Sequence, residues 1–132
     1  MPQTTTRVTQ VGTVIVPVSD QDKAIAFYTE TLGFETRVDE TFADGKMRWI
    51  EVAPAGAATS IALTPPMGEF QPGRQTGIIV STDDIEATHA ALKDAGADID
   101  PEVQCMGAPV PPMFAVRDPE GNELTIVEPL ES

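Results

Sequence analysis

The chain is poor in cysteine, in basic residues and in long apolar runs. Its single cysteine, Cys105, excludes an internal disulfide and a multi-cysteine metal site, and it fits a reducing compartment. Eight Lys and Arg residues stand against 21 Asp and Glu residues, so the net charge of −13 should repel nucleic acid and anionic membrane surfaces. No apolar run approaches the roughly 18 residues of a membrane span, and residues 1–10 lack the apolar segment of a signal peptide. We therefore expect a soluble, cytoplasmic protein without nucleic-acid or membrane partners.

Side chains that could act as nucleophile or base are also scarce. The one histidine, His89, is distant in sequence from Cys105, and neither stands in the spacing of a catalytic pair or triad. The glycines fall singly at turns and helix ends, not in a phosphate-binding loop. We expect Cys105 to be inert and His89 to be a solvated or partly packed helical residue, and no catalytic residue is assigned.

What the chain does contain is an internal repeat with an offset of about 64 residues. Residues 12–20 and 76–84 each pair an apolar strand with a helix start, and three further strand candidates follow each helix. The pattern predicts an α+β fold made of two βαβββ modules. The predicted bounds are module 1 over 8–64, a linker over 65–75 and module 2 over 76–129, within a single domain over 8–129.

Both copies contain residues that predict helix N-termini and turns. Ser19 is predicted to cap the first helix, which ends at residues 32–33, and Asp83 is predicted to cap the second, with Glu86 completing a capping box. Asp44-Gly45 predicts a tight hairpin turn. The predicted strands after the helices are 34–42, 46–53 and 59–64 in module 1, and 99–104, 112–117 and 123–128 in module 2.

Three segments carry a resemblance to a known family. They are Val14-Ile15-Val16-Pro17-Val18-Ser19-Asp20, Ala26-Phe27-Tyr28 with Leu32-Gly33-Phe34, and Phe114-Ala115-Val116-Arg117-Asp118-Pro119-Glu120-Gly121-Asn122. With their spacing, the chain resembles the vicinal oxygen chelate superfamily, also called the glyoxalase/bleomycin-resistance/dioxygenase family. The resemblance implies that each module curls into a concave half-barrel and that the protein is a homodimer with clefts near its interface. It does not settle function, because this superfamily contains isomerases, dioxygenases, lyases, epimerases and non-catalytic drug-binding proteins.

The resemblance also implies four positions for metal ligands. Metal-dependent members place His or Glu there, whereas this chain has Thr13, Ala62, Gly77 and Thr125. Alanine and glycine offer no side-chain donor to a divalent ion. We therefore predict no metal and no cofactor. A metal site rebuilt from Glu51, Glu123 or His89 is the alternative.

Alternation along one strand points to a ligand-binding surface. If Ile50 and Val52 face the helices, then Met47, Trp49 and Glu51 face the concave side. The other residues predicted to line that side are Thr13, Ile15, Ala62, Thr64, Gly77, Ile79 and Thr125, with Met113 and Phe114 from a lid or rim over 105–114.

Trp49 is the residue expected to stack on a planar ligand, the alternative being that it fills the half-barrel or a dimer seam. Arg48 and Arg117 are expected to form surface ion pairs or to anchor carboxylates.

These observations favour a metal-independent small-molecule-binding protein of the drug- or antibiotic-sequestering kind, with a planar or cationic ligand. The alternative is an enzyme, either a glyoxalase-like lyase or isomerase with relocated metal ligands or a metal-free acid/base catalyst using Glu51 or Glu123. A structural or regulatory module with a closed cleft is a third hypothesis.

Overall fold

The computed structural model describes residues 7–130 and contains two four-stranded mixed sheets. The strand order is β1-β4-β3-β2 in the first sheet and β5-β8-β7-β6 in the second, so each module folds in the same way. Within each sheet the first and fourth strands of the module pair in parallel and the other neighbours pair antiparallel. The predicted α+β fold with two βαβββ modules is confirmed.

The bounds of the elements follow the predicted pattern closely. Module 1 comprises β1 (Thr13–Pro17), α1 (Gln21–Ala26), β2 (Glu35–Phe42), β3 (Met47–Ala53) and β4 (Ser60–Thr64). Module 2 comprises β5 (Gln75–Ser81), α2 (Ile85–Asp94), β6 (Asp98–Ile99), β7 (Met113–Arg117) and β8 (Glu123–Val127).

Both helices begin one residue later than the sequence pattern predicted. Asp20, not Ser19, caps α1 by accepting a hydrogen bond from the Lys23 amide, and Asp84, not Asp83, caps α2 by accepting from the Ala87 amide. In both helices the residue directly before the first helical residue, Asp20 or Asp84, accepts a hydrogen bond from an amide of the first turn, which is the geometry of an N-cap. Ser19 instead donates its hydroxyl to Glu120 of module 2.

The first helix changes from α-helical to π-helical geometry along its length. It is α-helical only to Ala26 and continues as a π-helical turn over Phe27–Thr31, closed by the Leu32 amide donating to the Phe27 carbonyl at 3.1 Å. This turn carries Tyr28 into the core.

One predicted strand is much shorter than expected. The segment 99–104 was predicted to be extended throughout, but β6 ends at Ile99. Pro101 has no amide hydrogen to donate to a neighbouring strand, so the ladder cannot run on through it. Pairing resumes only at an isolated bridge between Gln104 and Met113.

A single core joins the two modules. The buried cluster takes side chains from β1, α1, β3 and β4 of module 1 and from α2, β7 and β8 of module 2. Between the modules, the Tyr28 hydroxyl donates to Asp118 at 3.0 Å and the Asn122 side-chain amide donates to the Pro17 carbonyl at 2.8 Å. The helix-side faces of both sheets are thus buried together, and their opposite faces point away from this core. Over residues 7–130, no helix has the length and hydropathy to span a membrane.

Candidate functional site

The strand β3 presents its larger side chains to the face opposite the core. Ile50 and Val52 are fully buried on the helix side, whereas Met47, Trp49 and Glu51 alternate with them and are partly exposed. Glu51 is in register with Ala62 of β4, which is in register with Ile15 of β1. We call this surface the open face of the first sheet, defined by Thr13, Ile15, Met47, Trp49, Glu51, Ser60, Ala62 and Thr64.

Glu51 is the centre of a hydrogen-bonded group on the open face. Its Oε2 accepts from the indole Nε1 of Trp49 at 2.6 Å, and its Oε1 accepts from the Ser60 hydroxyl. The Thr13 hydroxyl lies 3.4 Å from the Ser60 hydroxyl. Residues from three adjacent strands therefore fix one carboxylate, and that carboxylate fixes the edge of the indole ring.

These contacts favour the charged form of Glu51. The Ser60 hydrogen bond, followed by the Trp49 hydrogen bond, lowers the pKa of Glu51 below its ordinary value; partial burial opposes the shift, and Thr13 and Arg37 add smaller effects in the same direction. At neutral pH Glu51 is a fixed anion and a poor proton acceptor.

Apolar side chains surround this group without covering it. Ile15 and Met47 are 39% and 47% exposed, whereas Ala62, which was also predicted to line the ligand surface, is fully buried between its neighbouring strands and offers no accessible surface to a ligand. Thr64, two residues further along β4 on the same face, is buried and its hydroxyl has no hydrogen-bond partner. The surface offers an aromatic ring, exposed aliphatic side chains and two carboxylates, because Glu40 of β2 is exposed and lies in register with Trp49.

Predicted site residues of module 2 lie on the corresponding face of the second sheet. Ile79 is 64% exposed and is in register with Thr125, and Met113 is half-buried at the start of β7. Gly77 has a φ of +76°, in the left-handed region that favours glycine. A groove of about 530 Å³ between the modules reaches Gly77 and Ile79 but not Trp49, Met47 or Glu51. Within one chain, the predicted residues thus fall on two separate surfaces.

The placement of Phe114 corrects one predicted site residue. Phe114 is only 1% exposed, and its ring packs edge to face against His89 with centroids 4.8 Å apart. In β7, Phe114 and Val116 point into the core while Met113 and Ala115 alternate with them, so adjacent residues of the predicted rim cannot share a face. Phe114 belongs to the core and does not line a ligand surface.

Arg48, Arg117 and His89 each contact neighbouring residues of the same chain. Arg48 pairs with Asp39 and Asp22, each at 2.8 Å, and Arg117 pairs with Asp98, Asp100 and Glu123 at 2.9 to 3.2 Å. His89 lies on α2 with its Nε2 2.8 Å from the Asp100 carbonyl. Arg117 therefore compensates the charge of Glu123, and His89 is held by a hydrogen bond with the Asp100 carbonyl and by packing against Phe114.

The donor chemistry does not fit a metal of the kind the resemblance implies. Thr13 and Ala62 lie on neighbouring strands, as do Gly77 and Thr125, but two of the four have no donor atom. Glu51 is in register with Ala62, but a single carboxylate is too small a donor set for a divalent ion. Within residues 7–130, no three His, Cys, Asp or Glu side chains are grouped so as to hold a metal ion.

Sequence reasoning missed Ser60. Its hydroxyl is the main contact that stabilises the charge of Glu51. Ser60, Ala62 and Thr64 alternate along β4, so the same periodicity that placed Ala62 and Thr64 on the open face also placed Ser60 there.

Comparison with known proteins agrees with the fold of the two modules. Residues 10–126 match the family described as the Glyoxalase/Bleomycin resistance protein/Dioxygenase superfamily. TnmS3, an antibiotic binding protein from Streptomyces sp. CB03234, is 35% identical, with a TM-score of 0.82 over 95% of this chain and 99% of that one. A superfamily member from Sphaerobacter thermophilus is also 35% identical, with a TM-score of 0.83 over 92% of this chain and 98% of that one. The "Probable lactoylglutathione lyase" of Vibrio parahaemolyticus is 29% identical over 84% of each chain.

Proposed function

The chain belongs to the Glyoxalase/Bleomycin resistance protein/Dioxygenase superfamily, and from that premise we propose that it is a metal-independent protein that binds a small, planar molecule on the open face of the first sheet. The observation that carries the proposal is the indole of Trp49, held by Glu51 beside the exposed side chain of Met47 on the same strand. An aromatic ring fixed in this way loses little conformational freedom when a planar ligand stacks on it.

The donor set supports binding over metal-dependent chemistry. Alanine and glycine at two of the four ligand positions cannot help to hold the divalent ion that polarises a substrate oxygen in metal-dependent members. The similarity to TnmS3, an antibiotic binding protein, supports sequestration of a drug or antibiotic as the role.

We also propose that the working form is a homodimer. The faces of both sheets opposite the core are open in the single chain, and Ile79 on the second sheet is 64% exposed. A second copy that covers these faces would enclose a ligand that one open face alone leaves half in solvent.

The proposal is tested by ligand titration. Because Trp49 is the only tryptophan, its emission reports on this face alone. A planar ligand should quench or shift that emission and raise the melting temperature. Since stacking contributes about 1 kcal/mol beyond area burial, Trp49→Leu should weaken binding roughly fivefold to tenfold by calorimetry.

The control for this titration is Trp49→Phe, which keeps an aromatic ring for stacking at the same position. Its affinity should stay closer to the wild-type value than that of Trp49→Leu. A protein that responds to no planar or cationic compound in a broad thermal-shift screen would contradict a binding role.

The alternative is a glyoxalase-like lyase or isomerase, supported by the similarity to the "Probable lactoylglutathione lyase". It requires relocated metal ligands or a metal-free base. The depressed pKa of Glu51 opposes its use as a base. Stoichiometric Ni, Zn, Fe or Mn in protein purified without chelator would favour the enzyme.

A further inference from the structure

The carboxylate of Glu51 is unusual among the partnered acids on the sheets because neutral groups hold it. Asp39, Asp100 and Glu123 lie against arginine side chains that compensate their charge. Glu51 accepts instead from a serine hydroxyl and an indole N–H, neither of which carries a positive charge. Its negative charge is thus held in place but not cancelled by a contact ion pair.

Arg37, the one basic residue that affects the pKa of Glu51, has its own partners. Arg37 donates to the carbonyl oxygens of Ala57 and Pro54, and its guanidinium lies 3.5 Å from Glu35. Of the groups that shift the pKa of Glu51, Arg37 has the smallest effect. Arg37 therefore does not neutralise Glu51 as a contact ion pair would.

The hydrogen bonds of Glu51 leave acceptor positions free for a further partner. An ionised carboxylate has about four acceptor positions, and the contacts with Ser60 and Trp49 occupy one on each oxygen. The same contacts place the anion at the edge of an indole ring. A planar ligand stacked on the indole face would therefore reach a carboxylate oxygen with a protonated amine that extends past the ring edge.

We propose that Glu51 and Trp49 together form a subsite for a protonated amine of the ligand, in which Glu51 supplies the charge and also positions the indole. The inference rests on the proposed binding function and narrows its ligand class to planar cations. The acidic surface of the chain, with a net charge of −13, would concentrate such ligands near the protein but cannot by itself select an orientation.

The test uses two planar tricyclic probes of similar size, 9-aminoacridine as the cation and acridone as the neutral compound. Calorimetry on the full chain should show wild-type protein binding the cation at least about tenfold more tightly, since a charge-assisted contact exceeds a neutral one by this order. Glu51→Gln should lose about tenfold in affinity for 9-aminoacridine and change acridone binding less than about twofold.

Two controls separate charge at this position from other effects. Glu40→Gln removes the exposed carboxylate in register with Trp49, and Glu86→Gln removes one on α2, away from the open face. Each should leave both affinities within about twofold. Near-ultraviolet circular dichroism of Trp49 reports whether the indole stays fixed in Glu51→Gln, where the amide oxygen can still accept the indole N–H.

The outcomes distinguish the two proposals. Equal losses for both probes in Glu51→Gln would show that Glu51 acts only through the orientation of Trp49, which overturns the cation subsite and leaves planar binding intact. An equal loss of cation affinity in Glu40→Gln or Glu86→Gln would assign the preference to a neighbouring carboxylate or to the general field, with the same consequence. Failure of wild-type protein to bind 9-aminoacridine would overturn the cation subsite, and failure to respond to any compound of the thermal-shift screen would overturn the proposed function itself.

Discussion

At the scale of single residues, the open face depends on polar side chains that hold one another in position. Ser60 and Trp49 each donate to Glu51, and Thr13 lies next to Ser60. Sequence periodicity placed Trp49 and Glu51 on one face, but it gave no indication that their side chains are bonded to each other. The bond turns a half-buried tryptophan into an oriented ring, which is what a stacking surface requires.

The shifted pKa of Glu51 has a consequence for stability against pH. Because the folded-state pKa lies below the unfolded value of about 4.3, the carboxylate stabilises the fold above that value, and this contribution is lost as the pH falls through the folded pKa. Urea unfolding of wild type and Glu51→Gln should show a constant difference in free energy of unfolding between pH 8 and about pH 6. The difference should then shrink below about pH 4.

The comparison with Glu51→Gln removes the contribution of the other carboxylates, whose common acid destabilisation affects both proteins. Parallel curves down to pH 3 would contradict the assigned coupling between Glu51 and its donors.

At the scale of elements, the hairpin between β2 and β3 sets the position of the site strand. Ala43, Asp44 and Gly45 have φ angles of 54°, 56° and 84°, all in the left-handed region. The Asp44-Gly45 pair indicated a turn from the sequence, whereas the left-handed alanine before it did not follow from any sequence signal. Since this turn fixes the register of β3, it also fixes which side chains reach the open face.

A matched pair of glycine substitutions tests this turn. Gly45→Ala places a side chain at positive φ and should lower the free energy of unfolding by about 1 kcal/mol. Gly12→Ala, where the φ angle is not left-handed and no atom lies within 4 Å of the added methyl group, should change it by less than about 0.5 kcal/mol. Equal effects in urea unfolding would show that the left-handed turn contributes nothing.

At the scale of the whole molecule, the two modules are joined through buried polar contacts as well as apolar packing. Burial raises the pKa of Tyr28 above its ordinary value, and the neighbouring Asp118 raises it further, so the phenol stays protonated and donates to that carboxylate. Asn122 donates both to Asp118 and to the Pro17 carbonyl of module 1. The arrangement turns the two helix-side faces toward one another and leaves the two opposite faces open.

The open second sheet leads to a prediction about assembly. If a second copy covers it, light scattering should give twice the chain mass of 14.1 kDa for wild type. Ile79→Lys should shift the protein to the single-chain mass, because it places a charge in the covered surface. Met67→Lys, at another exposed apolar residue in the linker, should remain a dimer. A wild-type mass of one chain would contradict the proposal.

The sequence by itself determined the repeat, the element order, the hairpin, the faces of β3 and the poor set of metal donors. These features depend on local periodicity, turn chemistry and residue type, which a single chain displays directly. Only the tertiary structure decided that Asp20 and Asp84 cap the helices, that β6 stops before Pro101 and that Phe114 enters the core. It also brought Ser60 to Glu51 and separated the two predicted faces, because contacts between distant strands depend on register and module packing, and no local pattern encodes either.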